Sequence, residues 1–278
     1  QRQRSELGDR LLADAYRLVW DGDHIELDYK ITNADRTVGA SLSGALALEF
    51  GNLPPLGSVT ARFTGEAGQS FGAFLNQGIT LDLTGEANDY VGKGMGGGRI
   101  VIRPPANDAS LAGDHPHPVS PVLAGNTCLY GATGGELFIA GAVGERFGVR
   151  NSGAVAVVEG AGDHACEYMT GGRLVILGPV GYNVGAGMSG GEAYVWDPRA
   201  TLTTRINPAM VEAERPDSEH LEEVRWLIDR HAELTGSRLA SALLSHWDQT
   251  TQQLWLVAPI DRVKRIELNH AGRVGVNA

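Results

Sequence analysis

The stretch GNTCLYGATGGELFIAGAVGERFGVRNSGAVAVVEGAGDHACEYMTGGRLVILGPVGYNVGAGMSGGEAYVWD (residues 125–197) repeats itself roughly every 19 residues, the period class of stacked repeat architectures. Two of its corners carry the triplet G-x-x-G-x-x-x-G, at Gly141/Gly144/Gly148 and Gly178/Gly181/Gly185, and the same triplet stands upstream at Gly65/Gly68/Gly72. After each triplet a second glycine signal leads into a short apolar alternating run. A unit this short cannot bury a core alone, so it must stack on its neighbours.

Aligning the runs gives apolar columns. One is Val59, Ile79, Ile100, Leu137, Val155, Leu174 and Ala193; the next is Ala61, Leu81, Ile102, Ile139, Val157, Ile176 and Val195. The residues between them (Thr80, Val101, Phe138, Ala156, Val175, Tyr194) are mixed, as expected if alternate side chains point away from the core. A third column, Phe71, Val91, Cys128, Phe147, Cys166 and Val184, lies on the triplet side.

These columns predict an all-β fold, a right-handed parallel β-helix of about seven rungs. The expected organisation is residues 1–44 as an N-terminal helix and strand, 45–197 as the coil, and 198–278 as a C-terminal helical cap and tail. Residues 5–20 read as an amphipathic helix and His24–Ile31 as a strand. Pro216-Asp217-Ser218 starts a helix that Gly236 stops, and 238–247 reads as a second one. These C-terminal helices are expected to cap the open end of the coil. The Pro-rich stretch 104–121 falls inside a 37-residue step between Ile100 and Leu137 and reads as an excursion from one repeat, because a central strand cannot spare its amide donors.

The formal charge of −10 argues against nucleic acid or an anionic membrane as partner. No apolar run approaches a membrane span, and QRQRSELGDR does not read as a signal peptide. The chain lacks an initiating Met and is expected to be a fragment of something longer, in the cytoplasm. Cys128 and Cys166 share a column with Phe147 between them, so they stand about 9.6 Å apart. A disulfide needs Cα atoms within roughly 7 Å, so both are read as small buried hydrophobes in a reducing compartment.

Motifs with chemical potential each have a simpler reading. Gly92-Lys93-Gly94-Met95-Gly96-Gly97-Gly98 looks like a phosphate loop, but Lys93 is followed by Gly94 and the segment runs into a strand rather than a helix. It reads as a corner. Asp163-His164-Ala165-Cys166-Glu167 holds the ingredients of a Cys-His-acid site, yet catalytic members normally converge from separated segments and the column turns Cys166 inward. Asp114, His115 and His117 have no further ligand at a recognisable spacing. Arg99, Glu136, Arg173 and Glu192 line one outward column, interrupted by Ala154, and read as solvated cross-strand pairs. The expectation is therefore no catalytic, cofactor-binding or metal residue, with Glu192 exposed and dispensable.

Residues 65–105 (GEAGQSFGAFLNQGITLDLTGEANDYVGKGMGGGRIVIRPP) and 125–197 resemble the glycine-motif C-terminal domain of the glutamate synthase large subunit. Ala34-Asp35-Arg36-Thr37-Val38-Gly39 and the tail HLEEVRWLIDRHAELTGSRLASALLSHW (220–247) are similar to its flanks. The resemblance implies an oxidoreductase of glutamate biosynthesis and ammonia assimilation, NADPH- or ferredoxin-dependent. That enzyme hydrolyses glutamine, channels ammonia and reductively aminates 2-oxoglutarate on an FMN domain with an iron–sulfur cluster. In bacteria a small reductase subunit carries FAD and takes electrons from NADPH. It further implies a non-catalytic scaffold role for this segment, packed between the amidotransferase and FMN-binding domains. The alternative is the β-helical subunit of a formylmethanofuran dehydrogenase-type complex, which shares the glycine-rich pattern.

Overall fold

The computed structural model describes residues 6–51, 53–106 and 120–260. Helix α1 (Glu6–Asp21), strand β1 (His24–Ile31) and helix α2 (Ala40–Phe50) come first. Strands β2 (Ser58–Ala67), β3 (Ile79–Ala87), β4 (Gly96–Arg103), β5 (Val122–Ala124), β6 (Gly134–Ile139) and β7 (Ala142–Val143) follow. Next are β8 (Ser152–Val158), β9 (Thr170–Ile176), β10 (Gly190–Trp196) and β11 (Val211–Glu214). Helices α3 (Ser218–Thr235), α4 (Arg238–Ser245) and α5 (Trp247–Thr251) lead to β12 (Leu254–Pro259).

The expectation of an all-β, right-handed parallel β-helix with helical caps is overturned. The strands form one 12-stranded sheet, and with five α-helices the protein is mixed α/β. The main path runs β1-β2-β3-β4-β6-β8-β9-β10-β12-β11, with β5 and β7 joined beside it. Pairing is parallel except where β12 runs antiparallel to both β10 and β11. The helical segments pack along the sheet rather than capping its ends. Helices α1 and α2 supply Leu7, Leu11, Ala15, Val19, Leu42 and Leu46 to the main core. Helix α3 instead lies across β4, β6 and β8, and with α4 it covers a second apolar layer on the sheet's other face.

That second layer explains the mixed residues between the columns. Of these, Phe138, Val175 and Tyr194 are fully buried against Val224, Leu227, Ile228, Leu239 and Leu243 of α3 and α4. The columns themselves need two corrections. Leu81, not Ile79, pairs with Ile100, a two-residue change that keeps the same face. In β8 the slip is one residue, which reverses the faces: Ala156 and Val158 pair with Leu137 and Ile139 and join the main core, whereas Val157 faces the helices. Asn151 holds this irregularity. It is fully buried, and its side chain accepts from Ala154 N (3.0 Å) and donates to Ala154 O (2.9 Å), folding an extra residue into the strand entry.

The segments between strands stack as closely as the strands. Gly92 N donates to Phe71 O (2.9 Å), Leu129 N to Val91 O (2.8 Å), Gly148 N to Cys128 O (2.9 Å) and Cys166 N to Phe147 O (2.7 Å). The third column, Phe71 through Val184, is thereby buried throughout. β4 pairs directly with β6, and Ala87 of β3 with Ala124 of β5; most of the Pro-rich stretch 104–121 lies outside the described residues. Asp114, His115 and His117 lie outside the described residues. No described helix is long and apolar enough to cross a membrane.

At Gly85 the approach is closest. Its φ is +145°, and a Cβ built there would lie 1.8 Å from the carbonyl oxygen of Gly65, its partner in β2. Gly131, at φ +62°, has nothing within 4 Å of the same position. Gly131→Ala should cost about 1–2 kcal/mol, the conformational penalty alone. Gly85→Ala should cost several kcal/mol more, because backbone must move. Urea denaturation of the two variants checks this; equal midpoints would refute the close approach.

Candidate functional site

The one deeply buried acid–histidine–hydroxyl cluster among the described residues lies where the α3–α4 corner meets the sheet. Glu159 follows the apolar run of β8 and is 6% exposed, while His231 of α3 is completely buried. Helix α3 delivers His231 because Val224, Leu227, Ile228, His231 and Thr235 share its buried face. Asp217 caps its start by accepting from His220 N (2.9 Å), which holds the Asp217 carboxyl below the usual carboxylate range. Gly236, at φ +70°, ends it. Ser237 then caps α4, accepting from Ala240 N at 3.0 Å.

Three donors converge on one carboxylate. His231 Nε2 lies 3.3 Å from Glu159 Oε1, the Ser237 hydroxyl donates to the same oxygen, and the Ser120 hydroxyl donates to Oε2. Burial pushes the Glu159 carboxyl up, but the bonds from His231, Ser120 and Ser237 outweigh it and hold the group below its ordinary value. A cleft of about 380 Å³ opens beside the cluster, lined in part by Arg103, Ser120, Glu159, Ser237 and Arg238. Arg103 is already engaged: it donates to Asp82 Oδ2 (2.7 Å) and to Leu234 O (2.8 Å).

The residue types are those of a hydrolytic triad, but the order is not. Nucleophilic activation needs histidine between hydroxyl and acid, so that its ring takes the serine proton. Here the carboxylate stands in the middle. Ser237 gives its hydrogen to an anion that is a weak base, and His231 Nδ1, on the far side of the ring, has no hydrogen-bond partner. What this geometry does is fasten α3, α4 and the entry to β5 onto the sheet.

The charged column turns out to serve the same end. Glu136 bonds Arg99 (2.7 Å) and, from α3, Arg230 (3.0 Å). These bonds hold the Glu136 carboxyl below its ordinary value against the opposing effect of burial. Arg173 reaches Glu192 (3.3 Å) and Glu223 of α3 (2.9 Å). Val155, not Ala154, interrupts the column. Glu192 is buried rather than solvated, accepting from the Tyr194 hydroxyl (2.7 Å) with His220 at 3.7 Å, so the expectation of an exposed Glu192 is overturned.

The remaining motifs separate. Gly92, Gly94 and Gly98 have positive φ, and Gly94 N and Gly96 N bond Tyr130 O and Leu75 O, so this loop spends those amides on neighbouring corners. Cys166 and Cys128 are free and buried, and burial pushes both thiols up to about 12. Such thiols supply almost no thiolate at neutral pH. Asp163 Oδ1 accepts from Tyr182 N (2.7 Å) in the next repeat, and His164 Nδ1 lies 3.8 Å from Glu167. Sequence reasoning missed Glu159, His231, Ser237 and Ser120. The available signal was an acid ending the apolar run AVAVVE and a histidine on the buried face of α3.

The sequence matches the GXGXG motif family over residues 8–260. It is 53% identical over 232 residues to ferredoxin-dependent glutamate synthase 2 of Synechocystis sp., which covers 83% of this chain and 14% of that protein. It is 45% identical over 272 residues to the glutamate synthase [NADPH] large chain of Azospirillum brasilense, covering 95% and 18% respectively. Against glutamate synthase [NADH] of Schizosaccharomyces pombe the identity is 45% over 257 residues, covering 92% and 12%. The chain thus spans less than a fifth of the length of these relatives.

Removing the central carboxylate leaves the buried donors His231 and Ser237, and the half-buried Ser120, unanswered, so Glu159→Ala should cost about 3–5 kcal/mol at neutral pH. The Glu159 pKa is lowered on folding, so its contribution is complete above the unfolded value of about 4.3 and is lost as pH falls through the folded value. The difference in urea midpoint between parent and Glu159→Ala should therefore shrink below pH 4. A pH-independent difference would show that the charge is not what holds the corner.

Proposed function

The chain belongs to the GXGXG motif family, and from that premise we propose that it is the non-catalytic scaffold segment of a glutamate synthase large subunit. Its task is to hold amidotransferase and FMN-binding domains of the same polypeptide at a fixed separation. The observation that carries this reading is the use made of polar side chains. Glu159, Glu136, Glu192 and Arg103 are all engaged in tying α3 to the sheet, and the reactive-looking Cys166 is core. Identities of 45–53% to glutamate synthases favour this over a formylmethanofuran dehydrogenase-type module.

The parent enzyme's iron–sulfur cluster does not fit these residues. It needs three or four thiolates; the chain has two cysteines, both buried, and the described residues contain no group of three or more His, Cys, Asp or Glu able to hold a metal ion. We place the cluster in other parts of the assembly, and with it, as the resemblance implies, the FMN and the FAD and NADPH of a small reductase subunit. Two protonated core thiols suit a reducing compartment, and we place the enzyme in the cytoplasm.

The purified chain should show no flavin absorbance and no release of ammonia from glutamine. Flavin retained through purification, or glutaminase activity that rises in proportion to the chain, would overturn the scaffold assignment.

A further inference from the structure

Helix α2, ASLSGALALEF, carries one charged residue, Glu49, in 11 positions. A surface helix normally gathers its apolar residues on one face. This one does not. Leu42 and Leu46 enter the core, yet Leu48, about 200° round the helix from Leu46, is 89% exposed. A Cβ added at Gly44 would meet nothing within 4 Å, so that side is open.

The chain leaving α2 extends the surface: Leu53 and Leu56 are 71% and 70% exposed. Leu53 N donates to Phe50 O (3.0 Å) and Gly57 N to Val19 O (3.0 Å), which fixes the segment beside the end of α1. There Leu18 and Trp20 are 40% and 36% exposed. Arg17 stands at the margin, paired with Asp21 (2.8 Å) and lying over the Trp20 ring at 4.6 Å. Single exposed leucines need no explanation; five large apolar side chains at one end of a helix pair do. An apolar centre with a charged margin is the anatomy of a permanent interface.

We propose that the α1–α2 end is the surface on which another domain of the same polypeptide docks, an inference that rests on the scaffold reading. The relatives place more than four-fifths of their length outside the matched segment, so such domains are present in abundance. A second copy of this chain is disfavoured by its formal charge of −10. The complementary surface is apolar and of similar extent.

The test uses the full-length enzyme with single substitutions Leu48→Cys, Leu53→Cys, Tyr168→Cys and Trp226→Cys. All four positions are more than half exposed, so each substitution removes little buried area. Thiol labelling is followed peptide by peptide by mass spectrometry. At least tenfold slower labelling at Leu48→Cys and Leu53→Cys in the native than in the denatured enzyme is the expected result. Fast labelling at both, with Tyr168→Cys or Trp226→Cys protected, overturns this docking surface and leaves the scaffold reading standing. Fast labelling at all four overturns both. Protection at Leu48→Cys and Leu53→Cys that disappears on dilution assigns the surface to a second copy and also overturns the proposal.

Discussion

Everything in this protein depends on backbone approaching backbone where each strand begins and ends. Parallel strands stack at about 4.8 Å only if the segments joining them stack at the same spacing. A side chain at those places would occupy the space of the neighbouring carbonyl. Glycine is therefore required at Gly85, where a Cβ would fall on Gly65 O, and at Gly181, where it would fall 2.4 Å from the backbone nitrogen of Asp163. Once that approach is secured, the inward residues line up without further instruction, and the Phe71-to-Val184 column is buried as a consequence.

The same constraint decides what could be read in the sequence. Periodic glycines and apolar columns are local, repeated signals, so the order β2-β3-β4-β6-β8-β9-β10, the burial of both cysteines and the helix boundaries at Asp217 and Gly236 were legible. Two things were not. Phe138, Val175 and Tyr194 looked like the mixed outer residues of a solvated face, because the helices that bury them arrive far later in the chain. The face reversal in β8 hinges on the Asn151 side chain bonding the backbone of Ala154, which leaves no trace in the apolar alternation. The fold class was misjudged for the first of these reasons: a sheet with cores on both faces is a mixed α/β protein, not a strand coil with caps.

The polar cluster shows why a list of chemical residue types is a poor guide to chemistry. Ser237, His231 and Glu159 come from an N-cap, a helix face and a strand end. Each was unremarkable in its own segment, and their meeting is visible only in three dimensions. Even then the connectivity decides the role, because both hydroxyl and imidazole address the carboxylate rather than each other. The Ser237 hydroxyl also caps α4, so one side chain closes a helix and joins it to the sheet.

Stacking of this kind has no natural end, since each strand offers its outer edge to the next. The sheet is closed at both ends by different means. At one edge β1 presents Glu26, Asp28 and Lys30, whose charges disfavour addition of a further strand. At the other, β12 reverses direction and is followed by β11, which has four residues and carries Glu212 and Glu214. Growth by strand addition is thus blocked in both directions. One side is already taken by α3 and α4. The apolar surface at the end of α1 and α2 lies elsewhere, on helices whose inner faces the core already uses.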